Sequence, residues 1–128
     1  MSDEIIIKLD GLLKSLRSEV PGTKGSLLLN DDGFIIVSDM GEESDHYEIG
    51  KLFCSFEAIG AKFTEKIFNS QGIRFSIWND KGDIQFFPVD KTFLLVIISD
   101  YNSRPGLLLL RVAKIIEILR ELLESENL

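Results

Sequence analysis

Apolar residues recur every three or four positions in three segments of the chain, as expected for helices that bury one face. The first segment runs from about Asp3 to Ser18, with Ser2 available as N-cap, and the last runs from about Leu107 to Glu124. The middle segment, about Asp45 to Asn69, follows a run of acidic residues, which the helix dipole favours at that end. The pattern predicts one long central helix and two terminal helices.

Five short runs rich in leucine, β-branched and aromatic residues lie between these helices. The predicted strands are Ser26–Leu29, Phe34–Val37, Ile73–Asn79, Ile84–Val89 and Phe93–Ser99. The last is the most apolar and the best candidate for the sheet centre, whereas Ile73–Asn79 alternates and has the polarity of an edge strand. The order α-β-β-α-β-β-β-α, with two hairpins, predicts an α/β (α+β) sandwich. We expect a single domain, residues 1–128, in which the long helix covers one face of a five-stranded antiparallel sheet and the terminal helices cover the other.

The stretch LLLNDDGFIIVSD joins the first two predicted strands. Asp31 and Asp32 could bind a cation together, but Asn-Asp-Asp-Gly is also typical of a tight turn. Glycine accepts a positive φ, and asparagine and aspartate bond back to their own backbone. We interpret Asn30–Gly33 as a hairpin turn.

Composition narrows the possible classes of protein. A chain of 128 residues with 45% hydrophobic content fits one globular domain. A single cysteine excludes an internal disulfide framework, the N-terminus is acidic rather than signal-like, and the longest apolar run, Phe93–Ile98, is too short to span a bilayer. We therefore expect a soluble cytoplasmic protein with no direct membrane insertion. The net charge of −7 makes nucleic acid a poor partner.

Two stretches, VPGTKGSLLLNDDGFIIVSD and FLLVIISDYNSRPGLLLLRVAKIIEIL, with a long helix between them, resemble the Roadblock family, named for a dynein light chain. The likeness covers about Glu4 to Leu123 and rests on apolar positions and the turn glycines Gly25, Gly33 and Gly106. It implies an α/β sandwich that forms a homodimer or paired heterodimer and acts as adaptor or regulator of small Ras-like GTPases, with no catalytic residue. It also implies that the middle helix and the strand Ile73–Asn79 each meet their copy across a two-fold axis.

The middle helix carries two apolar sides. The broader side is expected to pack on the sheet and comprises Ile49, Leu52, Phe53, Phe56, Ile59, Gly60, Phe63 and Ile67. The opposite side is made mostly of small residues and comprises Gly50, Cys54, Ala58, Ala61 and Phe68. Small residues at spacings of three and four let a second helix approach closely, so we predict a dimer interface there. The alternative is a solvent-exposed side that happens to contain alanine.

Two further sets of residues complete the predicted interaction surface. Arg74, Ser76 and Trp78 lie on the non-core face of the edge strand and are predicted to join the dimer interface, because tryptophan and arginine are enriched there. The alternative is that Trp78 covers one end of the middle helix. A partner is expected to contact the polar residues along that helix, which are Lys51, Glu57, Lys62, Thr64 and Glu65.

No group of residues matches a catalytic, metal-binding or phosphate-binding motif. Cys54 and His46 are eight residues apart on one helix, about 12 Å, so they cannot form a nucleophilic pair. The acidic positions Asp39, Glu42, Glu43, Asp45 and Glu48 do not match a calcium loop and are interpreted as a solvated loop that could recognise a basic partner. Gly22–Gly25 lacks the spacing of a phosphate-binding loop.

The favoured function is a non-enzymatic dimeric adaptor or regulator of a small GTPase, with no cofactor. The alternative is a sensor-like domain that binds a small apolar ligand between sheet and helix. Its pocket would be lined by Phe53, Phe56, Phe63, Phe75 and Phe86.

Overall fold

The computed structural model describes residues 1–40, 46–70 and 73–126 of the chain, without the side chains of 46, 47 and 126. These residues form α1 (Asp3–Glu19), β1 (Thr23–Asn30), β2 (Ile35–Asp39), α2 (His46–Phe68), β3 (Phe75–Asn79), β4 (Gly82–Pro88), β5 (Phe93–Asp100) and α3 (Pro105–Glu126). The predicted order of elements is confirmed.

The five strands form one antiparallel sheet in the order β2-β1-β5-β4-β3. The apolar strand β5 lies at the centre and β3 lies at an edge, as predicted. Central position follows from composition, because Phe93–Ile97 is buried throughout and needs cover on both faces. β1 runs from Thr23 to Asn30, longer than predicted, because β5 pairs with it along almost that entire length.

The terminal helices α1 and α3 cover one face of the sheet. α1 buries Leu9, Leu13 and Leu16, which its helical spacing places in one row, and Ser2 caps it by accepting a hydrogen bond from the Ile5 N–H at 3.3 Å. α3 contributes a second row. The larger core lies here and includes Leu28, Phe87, Leu95, Ile97, Leu108, Val112, Ile115 and Leu119.

The helix α2 packs on the other face through a smaller core. Phe53 meets Phe86 edge-on with ring centroids 5.3 Å apart, and Phe86 stacks on Phe75 at 4.2 Å. Offset and edge-on ring pairs of this kind contribute about 0.5–1.5 kcal/mol beyond their buried area. The first contact joins the N-terminal half of α2 to β4, and the second joins β4 to β3.

Candidate protein-interaction surface

The side chain of Asn30 stabilises the turn between β1 and β2. The Asn30 Oδ1 accepts hydrogen bonds from the N–H groups of Asp32 and Phe34, each at 3.0 Å, and Gly33 adopts a φ of +86°. Asp31 and Asp32 are exposed on this turn. The interpretation of Asn30–Gly33 as a hairpin turn is confirmed.

The first turns of α2 press against that hairpin. A Cβ atom on Gly50 would overlap the carbonyl oxygen of Gly33, so the helix approaches as closely as it does only because Gly50 has no side chain. One turn later the Cys54 thiol donates to the Asn30 carbonyl oxygen at 3.4 Å. The small-residue side of α2 therefore lies on the sheet.

This placement corrects the predicted orientation of α2. Gly50 is buried, Cys54 and Ala61 are half-buried, and only Ala58 and Phe68 of the predicted helix-pairing set are exposed. Small residues at these positions bring the helix close to the sheet rather than to another helix. Burial is also the main cause that raises the pKa of the Cys54 thiol, with the Glu57 carboxylate adding to it.

The large apolar residues that were expected to face the sheet are instead exposed along one flank of α2. We call this row the α2 stripe; it comprises Leu52, Phe56, Ile59, Phe63 and Ile67. Their exposed fractions run from 46% for Phe56 to 69% for Ile67. Of the side predicted to pack on the sheet, Phe53 is buried and Ile49 and Gly60 are half-buried. Gly60 lies close to the residues just before β3, since a Cβ there would lie 2.9 Å from the Ile73 Cδ1.

The outer edge of β3 is free of strand pairing within the described residues, since β3 pairs with β4 alone. Trp78 is 63% exposed, and its indole N–H donates to the Ser76 Oγ at 2.6 Å. The Arg74 guanidinium lies 5.2 Å from the centre of the Phe87 ring. Arg74, Ser76 and Trp78 thus share one face of the sheet, as predicted, but that face carries the larger core under α1 and α3 and is not a non-core face.

The alternative placement of Trp78 over the end of α2 is wrong. Trp78 lies opposite Asp83 in the β3–β4 ladder, whereas the neighbouring pair of Ile77 and Ile84 faces α2. Because successive residues of a strand point to opposite faces, Trp78 is on the face covered by α1 and α3.

Three of the five polar residues predicted to contact a partner are exposed, and two are half-buried. Lys51, Lys62 and Glu65 are exposed on α2. Glu57 and Thr64 are half-buried, and the Thr64 hydroxyl donates to the Ala61 carbonyl oxygen at 3.0 Å. The first three remain candidates for a partner-contacting surface.

The acidic residues suggested as cation ligands do not come together in the described part of the chain. Asp39 pairs with Arg17, and Glu48 is exposed at the start of α2. Glu42, Glu43 and Asp45 lie outside the described residues, as does the side chain of His46. Among the described residues, no group of three or more histidine, cysteine, aspartate or glutamate side chains is placed to hold a metal ion.

The five phenylalanines proposed to line a ligand pocket do not enclose a common space. Phe53, Phe75 and Phe86 pack on one another in the core, while Phe56 and Phe63 lie in the exposed α2 stripe. The arrangement weighs against the sensor-like alternative.

The five-stranded antiparallel sheet with α2 on one face and α1 and α3 on the other is a fold that solved Roadblock-type structures share. No sequence-family model and no curated protein matches the chain. A Roadblock/LC7 domain from Streptomyces avermitilis is similar in structure, with a TM-score of 0.83 at 16% identity over 90% of this chain and 97% of that one.

Two MglB structures are similar over 98% of this chain and 94% of each of theirs. MglB from Myxococcus xanthus has a TM-score of 0.87 at 21% identity, and MglB in a tetrameric arrangement has 0.88 at 15%. The Roadblock resemblance seen in the sequence is thereby confirmed for the fold. Separately, no helix in the described ranges is long and apolar enough to cross a membrane.

Proposed function

We propose that this chain forms a homodimer through the α2 stripe and the β3 edge, and that the dimer is a cytoplasmic, non-enzymatic adaptor or regulator of a small Ras-like GTPase. The observation that carries the proposal is the α2 stripe, a continuous row of large apolar side chains left uncovered by the chain's own sheet. Exposed rows of this kind mark interaction surfaces.

The stripe supports self-association by its geometry. Its residues are separated by four, three, four and four positions, so they form a single line along α2. A line of similar residues on a straight helix is complementary to a second copy running in the opposite direction, which a two-fold axis generates. Each side chain buried there stabilises the dimer by up to about 1.5–3 kcal/mol, against an association cost of about 4–15 kcal/mol.

The β3 edge supports the same dimer. An unpaired strand edge invites the addition of another strand, and a two-fold axis at β3 would place its copy antiparallel beside it. The short length of β3, Phe75–Asn79, makes the strand contact small by itself. We therefore expect the α2 stripe to contribute most of the dimer's stability and β3 to set its register.

The GTPase partner is supported by the Roadblock resemblance and fold. The tetrameric arrangement of MglB, which concerns that protein, adds support for self-association. Regulation would act by binding alone. A dimer that binds either the GDP-bound or the GTP-bound form of the GTPase more tightly increases the population of that form. Lys51, Lys62 and Glu65 supply the polar surface for that contact.

The first experiment measures the mass of the full-length protein by light scattering during gel filtration. The wild type is expected to be a dimer and Phe63→Glu a monomer, because a carboxylate in the stripe cannot be buried without a partner. At least a tenfold loss of dimer affinity is expected. Lys62→Glu, an exposed position on a different side of α2, is the matched control and should remain dimeric. A wild type that is monomeric at all concentrations would contradict the dimer.

The second experiment tests the partner. The tagged dimer is incubated with source-cell extract containing either GDP or a non-hydrolysable GTP analogue, and the bound proteins are identified. A small GTPase should be retained in one nucleotide state and lost with Phe63→Glu. Retention of no GTPase by a wild-type dimer would reject the regulatory function while leaving dimerisation intact.

A further inference from the structure

The helices α1 and α3 leave the edge strand uncovered on their face of the sheet. Arg74, Ser76 and Trp78 lie on that face, and all three are exposed. On the neighbouring strand β4, by contrast, Phe87 is buried at 4% exposure. The cover that α3 provides therefore ends between β4 and β3.

A groove of about 540 Å³ lies along this boundary. β4 contributes its floor, α3 contributes one wall, and Arg74 lies on the side of β3. The residues that line the groove include Arg74, Phe87, Pro88, Leu109, Ala113 and Ile116. Its volume falls in the range of roughly 300–1,000 Å³ that is usual for small-molecule sites.

The α3 wall of the groove is a line of apolar side chains. Leu109, Ala113 and Ile116 are separated by four and three positions, so they lie on one flank of the helix. The line is about 10 Å long, at 1.5 Å per residue. Leu109 and Ile116 are half-buried, whereas Ala113 is exposed and its short side chain leaves space between them. This wall offers contact to a hydrocarbon chain.

Arg74 supplies the positive charge of the groove. Its guanidinium lies 5.2 Å from the centre of the Phe87 ring, and the side chain is exposed. Among the described residues, no carboxylate forms an ion pair with it. The aromatic ring holds the guanidinium beside the groove, where its donors can meet the acid group of a ligand.

We propose that this groove binds an aliphatic monocarboxylic acid, whose alkyl chain lies along the α3 wall and whose carboxylate pairs with Arg74. A guanidinium binds a carboxylate with two parallel hydrogen bonds. An alkyl chain needs no hydrogen bonds, whereas an extended peptide would bring backbone amides for which the apolar wall has no partner. The groove is on the face opposite α2, so this inference depends neither on the dimer nor on a GTPase.

The test is an NMR titration of full-length, ¹⁵N-labelled protein with octanoate. The amide signals of Phe87 and of residues 109–116 are expected to shift and to saturate. Hexanoate should bind about tenfold more weakly, because it buries two fewer methylene groups. Octan-1-ol and octylamine carry the same chain and should each bind at least tenfold more weakly, because neither forms an ion pair with Arg74. The net charge of −7 disfavours unspecific binding of an anion, so saturation by octanoate indicates a specific site.

Matched variants locate the two halves of the site. Arg74→Gln should weaken octanoate binding about tenfold, while Arg104→Gln, at an exposed arginine before α3, should bind as the wild type does. Ala113→Leu fills the groove and should weaken binding at least fivefold, while Lys114→Leu, at the next exposed position of α3, should leave it unchanged. Circular dichroism confirms that each variant is folded. Ala113→Leu keeps the test decisive if Arg74→Gln alters β3.

Four results would overturn the proposal. They are equal affinity for octan-1-ol, unchanged octanoate binding in Arg74→Gln, unchanged binding in Ala113→Leu, and no saturation up to the solubility limit of octanoate. If octanoate does not bind, and Ala113→Leu loses a protein that the wild type retains from extract, the groove holds a protein segment instead. A monomeric wild type that binds octanoate would reject the dimer and leave this inference intact.

Discussion

The Arg17 guanidinium binds the Asp39 carboxylate with two hydrogen bonds, 2.7 Å from Nε to Oδ2 and 3.1 Å from Nη2 to Oδ1. The pair connects the last turn of α1 to the end of β2. The hydrogen bonds, and then the charge of Asp39, raise the pKa of Arg17. Asp39 is only 8% exposed, so its carboxylate depends on this partner.

Arg17→Gln is therefore expected to lower the free energy of unfolding, because it leaves a buried carboxylate without its cation. Asp39→Asn should lower it less, and the double variant should be less destabilised than the sum of the two. The control is Lys8→Gln, which removes an exposed ion pair with Glu4 on the same helix and should change little. Urea denaturation of the wild type and the four variants gives their free energies of unfolding. Additive effects of Arg17 and Asp39 would contradict the coupling.

Substitution by alanine should have opposite effects on the free energy of unfolding at two helical glycines, Gly50 and Gly11. Gly50→Ala places a methyl group against the Gly33 carbonyl and is expected to cost about 1–3 kcal/mol, as overpacking does. Gly11→Ala meets nothing within 4 Å and should stabilise α1 by about 1 kcal/mol. Denaturant unfolding of both variants compares them directly. A stabilised Gly50→Ala protein would show that α2 does not sit on the hairpin.

Charge reversal on α2 should separate partner binding from folding. Lys51→Glu combined with Lys62→Glu changes two exposed side chains, so the dimer and its unfolding free energy should be nearly unchanged, within about 0.5 kcal/mol per site. Retention of the GTPase in the extract experiment should fall at least tenfold. Lys114→Glu on α3 is the control and should bind as the wild type does. The reverse outcome, with binding lost only in Lys114→Glu, would move the contact to the α1/α3 face.

The buried Asp83 carboxyl should make stability depend on pH. Its pKa in the folded chain is raised above the ordinary value of 3.8, so the unfolded chain releases this proton at lower pH. Between 3.8 and the raised pKa the folded state binds more protons, and this group's contribution to the unfolding free energy falls as pH rises. Asp83→Asn should therefore be more stable than the wild type near neutral pH, and that advantage should shrink below pH 3.8. A difference that stays constant with pH would reject this role of burial.

Local chemistry determined much of the fold. The turn Asn30–Gly33 could be predicted because the hydrogen bonds to the asparagine side chain and the positive φ of the glycine all lie within the same few residues. The cap at Ser2 is equally local. β5 could be placed at the sheet centre because its run of apolar residues requires cover on both faces, and β3 at an edge because its alternation requires cover on one.

The orientation of α2 depended on tertiary structure. Helical periodicity shows that α2 has two apolar sides, but it carries no information on which side meets the sheet. Side-chain size gave the wrong orientation for α2, because large apolar residues usually lie in the core and here they are exposed. The exposed α2 stripe could have been suspected only from apolar residues spread too widely around the helix for one core to bury them all.

The sequence by itself determined the order of the elements, the hairpin turn, the central position of β5 and the edge position of β3, since each depends on neighbours in the chain. Only the tertiary structure decided that Gly50 packs on Gly33 and leaves Phe63 exposed, and that Asp83 is buried between Trp78 and Ser99 in the sheet. The physical reason is the same in both cases. Close approach and burial are properties of surfaces that meet across the fold, and those surfaces come from segments far apart in sequence.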